Sequence, residues 1–325
     1  MNTLHLTPDQ IGEASAVIRR GGLLVFPTET VYGLGASAWD ERACARIFEA
    51  KGRPADNPLI VHVFGTAMVA EVASAVPKVA ERLFEAFSPG PLTVILPRGP
   101  RIPDAVTAGL DTVGVRIPSH PVAQSLLKAS GMPVAAPSAN RSGLPSPTTF
   151  HTAVRQMDGR VDAVIDGGQC SHGVESTIVR VSGERVRILR EGAVTREMIE
   201  EVVGAGVASE RAAGAGGAAE APGTRHIHYR PRAPLRLVST EELAEALRSH
   251  AHLRIGYIGL TPLRGNLTTI PAVSVYAGSL ADYARRLYRS FYLFDAEGCE
   301  LIVAERPAPT GVGRALRDRL MRAAQ

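Results

Sequence analysis

The chain opens on a capped amphipathic pattern. Thr7-Pro8-Asp9-Gln10 joins a capping threonine, proline at the first helical position and glutamine where a capping box requires it. Gly21-Gly22 supplies the stop, so a helix is predicted from about Pro8 to Arg20. The apolar run Leu23-Leu24-Val25-Phe26 then predicts a buried strand ending at Pro27, which puts the segment PTETVYGLG at a strand's carboxyl end. Apolar runs and helical periodicities continue to alternate: a helix after Asp40, a strand at Leu59 to Val63, helices across Thr66 to Phe87 and a strand at Leu92 to Leu96. Further strands are predicted near Val113 to Ile117, Val134 to Ala136, Val161 to Ile165, Thr177 to Val181 and Val186 to Leu189. Helices of mixed length interrupt them, which predicts an α/β layer fold with a twisted sheet of mixed strand direction.

That large domain is expected over residues 1–203. From Gly204 to Gly223 the chain is nearly all alanine and glycine with a few charges, too little apolar surface to offset its conformational entropy. A flexible linker is therefore expected over 204–234. Beyond it, strands at Leu235 to Val238, Leu253 to Ile258 and Leu301 to Ala304 alternate with helices at about Thr240 to Ser249, Ser279 to Ala296 and Gly313 to Ala323. These predict a smaller, Rossmann-like α/β domain over 235–325.

Composition narrows the class without naming it. Of the 325 residues, 45% are hydrophobic and 21% charged, as in an ordinary globular chain, and a chain of this length supports two domains. MNTLHLTPDQ lacks the basic start and apolar run of a signal peptide, and no stretch approaches the ~20 apolar residues that span a bilayer, so a cytoplasmic protein with no membrane partner is expected. Cys44, Cys170 and Cys299 are far apart and fit neither a disulfide framework nor paired metal-ligand spacing. The net charge of +4 leaves weak RNA contact open without requiring it. The basic residues are overwhelmingly arginine; only Lys51, Lys78 and Lys128 are lysine, and the last two sit in ordinary amphipathic patterns.

Several short segments have chemistry to offer. Lys51-Gly52-Arg53-Pro54 ends a helical pattern and presents two cations, either as a solvated helix terminus or as a polyphosphate clamp in which the ammonium acts as a point charge and the guanidinium grips bidentately. His62 lies in a strand-like run where histidine is usually a satisfied interior residue. Arg116 lies in another, where a buried cation needs an anion: a substrate carboxylate or a buried aspartate. Ser138 and Asn140 fit a ligand contact or a local side-chain turn, and Gly173-Val174-Glu175-Ser176-Thr177 is a turn entering a strand. No Walker-type sequence is present, Gly311-Val312-Gly313 lacks the third glycine of a dinucleotide fingerprint, and no acidic cluster is spaced to hold a metal alone.

Taken in order, PTETVYGLG, KGRPADNPLIVHV, SPGPLTVIL, VGVRIPSHP, APSANRSGLPSPT and GVESTIV strongly resemble the YrdC-like family as found in threonylcarbamoyl-AMP synthases. The remainder resembles the long, two-domain form, with linker matches at Pro222-Gly223 and His228-Tyr229 and a terminal GVGRALRDRLMRA. Thr224-Arg225-His226-Ile227 replaces a more lysine-rich, aromatic stretch, and Arg230 stands where alanine is usual. The resemblance implies an enzyme joining L-threonine, bicarbonate and ATP into L-threonylcarbamoyladenylate and pyrophosphate. The product would pass to a separate transferase that forms threonylcarbamoyladenosine beside the anticodon of tRNAs reading codons that begin with A.

By the same resemblance Thr28, Thr30, Tyr32, His62, Arg116, Ala136 and Ser176 surround threonine, and Lys51, Arg53, Asn57, Thr112, Ser138, Asn140, Ser146, Arg190 and Tyr229 bind ATP. Lys51, Arg53 and His62 are the catalytic candidates. To the linker over 204–234 the resemblance adds a role as an active-site lid. Mg2+ is expected to ride mainly on the ATP phosphates, with no protein ligand assigned. Two rival readings remain: a carbamoyl-adenylate-forming enzyme, which normally carries cysteine pairs absent here, and a noncatalytic RNA-binding or ribosome-associated protein.

Overall fold

The computed structural model describes residues 2–204, 207–209, 228–270 and 272–325. Most of the alanine- and glycine-rich insertion, together with Pro222-Gly223 and Thr224 to Ile227, lies outside the described residues.

Among the described residues the first part of the chain builds a mixed eleven-stranded sheet. Its centre runs Leu24–Phe26, Gly33–Ser37, Val134–Ala136, Ile60–His62, Thr112–Arg116, Leu92–Pro97, Thr177–Ser182 and Arg185–Arg190. Antiparallel and parallel pairs are mixed: Ile60–His62 is antiparallel to Val134–Ala136 but parallel to Thr112–Arg116. Two core clusters, one around Val61, Val115 and Ala135 and one around Leu24, Phe26 and Leu126, cover the faces of the sheet. The second part forms a four-stranded, all-parallel sheet in the order Leu235–Val238, Leu301–Glu305, Ile255–Gly259 and Ala272–Tyr276. No helix of the described residues is long and apolar enough to cross a membrane, and the three cysteines are buried and unpaired.

The capped helices form where their signals stand. Thr7 and Gln10 make the capping box, though its first turn is a 3-10 turn over Pro8–Gln10 before the α-helix Ile11–Arg19. Gly313–Ala323 matches its predicted limits. Four strands had no clear signal: Leu4–Leu6, Gly33–Ser37, Val207–Ser209 and Ala272–Tyr276. Leu4–Leu6 and Val207–Ser209 are three-residue strands. The latter pairs parallel with Arg185–Arg190, inside the segment expected to be linker, and Val207 is buried. Gly33–Ser37 (GLGAS) hides its strand behind two glycines; a Cβ on Gly35 would come within 2.6 Å of Val134 and 2.8 Å of the Phe26 ring.

The two parts share a core: Val31 and Val174 pack in one cluster with Tyr229, Tyr288, Phe291 and Leu316. Gly173 makes this approach close. Its φ is +75°, and a Cβ there would sit 2.4 Å from Cα of Arg285 on the long helix Leu280–Ala296.

Candidate active site

The carboxyl ends of several strands, the turn after Phe26 and the end of one helix converge on a cleft of about 690 Å3, part of it open to solvent. The helix Glu41–Lys51 is capped by Asp40, whose side chain accepts from the Ala43 amide. Gly52, at φ +62°, closes it in the left-handed conformation that glycine tolerates, and the Gly52 and Arg53 amides turn back onto the carbonyls of Glu49 and Phe48. This termination points Lys51 and Arg53 into the cleft.

Lys51 is not a solvated helix end. It is 4% exposed, and its ammonium donates to the main-chain carbonyls of Ser138 (2.5 Å) and Asn140. Burial, with the neighbouring Arg53 charge, pushes its pKa well below the ordinary lysine value. An anion entering the cleft would favour the charged form. Of their two sequence readings, Ser138 and Asn140 show the local side-chain turn. The Ser138 hydroxyl donates to Asn140 Oδ1, and the Asn140 amide donates to the Arg141 and Leu144 carbonyls, so the side chains brace a turn that offers its carbonyls to Lys51.

The same cleft is lined by Thr28, Thr30, His62, Arg116, Ala136 and Ser176. Thr28 Oγ1 donates to the Val31 carbonyl, accepts from the Thr30 and Val31 amides, and lies 2.8 Å from Thr30 Oγ1, holding the turn rigidly. Arg116 finds its buried anion in Glu29 (2.7 Å), a glutamate rather than an aspartate; Ser119 N donates to the other carboxylate oxygen. Burial alone would raise the Glu29 carboxyl, but the Arg116 charge and hydrogen bond hold it below the usual range. Burial, aided by Arg116, pushes the His62 pKa down to about 3, so its ring is neutral at physiological pH. Its Nδ1 is buried and has no partner among the described residues. The Phe26 ring meets it edge-on at 5.9 Å.

Not every predicted residue lines the cleft. Tyr32 is fully buried behind it, donating to the Gly168 carbonyl and accepting from the Gly167 amide. Asn57 is buried beside Arg53, which donates to its carbonyl, while its side-chain amide has no partner among the described residues. Thr112 lies at the opposite end of its strand from Arg116, paired with Pro97. Ser146 Oγ is turned onto Glu175 at 2.6 Å.

Glu175, to which the sequence motif assigns no role, anchors the cleft's remaining wall. It is 6% exposed, lines the cleft with Arg190 and Tyr229, and takes hydrogen bonds from Ser146, Tyr288 and Arg319. Burial works to raise the Glu175 carboxyl, but Arg319, then Arg190 and Ser146, bring it from 4.5 down to about 2. Because the folded pKa is depressed, its stabilisation is present above pH 4.5 and lost as pH falls through about 2. Urea unfolding should therefore lose about 3 kcal/mol between those limits on account of this group. Glu175→Gln should flatten that slope, and an unchanged slope would refute the assignment.

The family model for Sua5, YciO and YrdC proteins, described as telomere recombination, matches residues 16–192, and one described as threonylcarbamoyl-AMP synthase, C-terminal domain, matches 194–325. The threonylcarbamoyl-AMP synthase of Bacillus subtilis is 39% identical, over 99% of this chain and 94% of its own. That of Pyrococcus abyssi is 39% identical, over 95% and 92%. The crystal structure of P. abyssi Sua5 complexed with L-threonine matches with a TM-score of 0.91 at 36% identity, covering 100% of this chain and 98% of that one. With both family models matched in succession and these relatives aligned along nearly the full length, the chain belongs to the threonylcarbamoyl-AMP synthase family of enzymes.

Proposed function

We propose that the protein joins L-threonine, bicarbonate and ATP into L-threonylcarbamoyladenylate and pyrophosphate, with a catalytic domain over 1–203, a linker over 204–234 and a C-terminal domain over 235–325. The observation that carries the reading is that one cleft gathers Arg116 and His62, whose Nδ1 has no partner among the described residues, together with the three cations Lys51, Arg53 and Arg190. The Sua5 of P. abyssi, similar throughout, takes L-threonine.

Bicarbonate loses hydroxide to give carbon dioxide, the threonine amine adds to its carbon and sheds a proton, and a carbamate results. A carbamate oxygen then attacks the α-phosphorus of ATP. The bond from that phosphorus to the bridging oxygen breaks, and its electron pair leaves on pyrophosphate. Arg116, with Glu29 on one side of its guanidinium, takes the threonine carboxylate; Thr30 and Ser176 take its polar groups, Ala136 forms the wall, and Thr28 and Tyr32 fix the turn. His62, neutral, offers Nδ1 to the carbamate. Lys51, Arg53 and Arg190 neutralise the phosphates, while Ser138 and Asn140 hold Lys51 in place and Asn57, Thr112, Ser146 and Tyr229 are assigned to ATP by the resemblance. These groups act by positioning and by charge aimed at the transition state.

Glu175 in the cleft wall and Glu29 beside Arg116 are each taken up by an arginine. That donor set suits Mg2+ carried by the ATP phosphates, where the ion screens their charge. Tyr229, which lines the cleft, covers the nucleotide and keeps water from the carbamate, while most of the linker expected to act as a lid lies outside the described residues. The product passes in the cytoplasm to a transferase that completes threonylcarbamoyladenosine on tRNA.

The test is pyrophosphate release by purified protein with ATP, Mg2+ and bicarbonate. Release should require threonine and bicarbonate, and serine should be the poorer substrate by about 10-fold or more, as one missing methyl implies. Release indifferent to threonine would overturn the reaction.

A further inference from the structure

We infer that Arg319, on the last helix of the C-terminal domain, is a positioning residue for this reaction: by engaging Glu175 it keeps that carboxylate from competing for Arg190, and so preserves the cationic wall that receives the nucleotide. The inference rests on the reaction proposed above.

Arg319 is fully buried, a state that an arginine occupies only when its donors are satisfied. Nε donates to Glu175 at 2.8 Å, Nη2 to the Glu191 carbonyl at 3.0 Å and Nη1 to Asp318 at 2.6 Å, so the planar group is fixed on three sides. Its carbon lies 5.6 Å from the centre of the Tyr229 ring, which stacks on Tyr288 at 5.2 Å, and the Tyr288 hydroxyl donates to Glu175 at 3.0 Å. Thus a helix outside the catalytic sheet reaches into the cleft wall and holds both its carboxylate and its aromatic ring.

The electrostatic consequence follows from which cations are near. Glu175 makes an ion pair with Arg319 and also feels the charge of Arg190, which donates to the carbonyl and hydroxyl of Ser176. Both Arg190 and Glu175 face the same cleft. Without Arg319, a buried carboxylate would stand in the wall with Arg190 as its nearest counter-charge. It would repel the incoming phosphates and draw that arginine from them.

The test uses the full chain as Arg319→Met, Glu175→Gln and the double variant, with thermal unfolding to confirm the fold. ATP KM and kcat are read from threonine-dependent pyrophosphate release, and threonine binding from calorimetry without ATP. Arg319→Met should raise ATP KM by about tenfold while threonine affinity stays within about twofold. Adding Glu175→Gln should return most of the lost ATP affinity, because the stranded charge is gone. A purely structural brace predicts no such rescue. An unchanged ATP KM in Arg319→Met, or a double variant no better than Arg319→Met, would overturn the inference. Should Arg319→Met fail to fold, Arg319→Gln, which removes the charge but keeps a hydrogen-bond donor, takes its place in the same rescue. Wild-type turnover separates the two ideas: its absence defeats the reaction, while turnover without rescue defeats only the role of Arg319.

Discussion

Replacing Lys51 with alanine is expected to lower threonine-dependent pyrophosphate release by about 10²–10³-fold, the scale on which preorganised charge at a transition state acts. The helix supporting it is capped at both ends independently of the side chain, by Asp40 and by Gly52, so the fold should persist. The two carbonyls that now accept from Lys51 would turn to water in the opened cleft. The loss should fall on kcat and on ATP, with threonine binding by calorimetry nearly unchanged, because the proposed threonine contacts Arg116 and His62 make no hydrogen bond to Lys51. Lys51→Arg should not restore activity: the pocket between Ser138 and Asn140 holds a compact ammonium, and a guanidinium is both larger and planar. Near-normal release by Lys51→Ala would remove this residue from the chemistry.

Arg116→Met carries the second large effect, and it is double. Glu29 would be left 4% exposed with the Ser119 amide but no cation, and stranding one member of a buried pair costs about 3–5 kcal/mol of stability. Threonine would lose its carboxylate partner as well. The two losses separate in Glu29→Gln/Arg116→Met, where urea unfolding should recover most of the stability because no unpaired charge remains, while threonine binding stays absent. Recovery of both together would mean that Arg116 serves only to neutralise Glu29. A single variant as stable as the parent would refute the buried-pair account.

The limits of the sequence show at particular residues. Lys51 and Arg53 drew notice because a lysine survives in an arginine-rich chain at a helix stop, and the stop itself is local chemistry that Gly52 performs in the structure as expected. Arg116 drew notice as a charge in an apolar run, but not its partner: Glu29 lies 87 residues away. The Ser138 and Asn140 side chains serve a turn, while their carbonyls, which no side-chain pattern reports, reach Lys51. Gly33–Ser37 was missed because its strand character comes from closeness to Phe26 and Val134 rather than from its own side chains.

What the sequence by itself determined is local and repetitive: the capped helices, the apolar runs that become central strands, the α/β class and the ordered blocks that mark the family. These need only short-range propensity and the period with which side chains meet a core. The tertiary structure alone decided the pairings of charge. Arg319 sits among Arg317, Asp318 and Arg322, a stretch that reads as a solvated helix face, yet it is fully buried on Glu175, 144 residues distant. A local pattern shows which face of a helix is apolar. It does not show which remote carboxylate, stripped of water by folding, makes a buried cation favourable there.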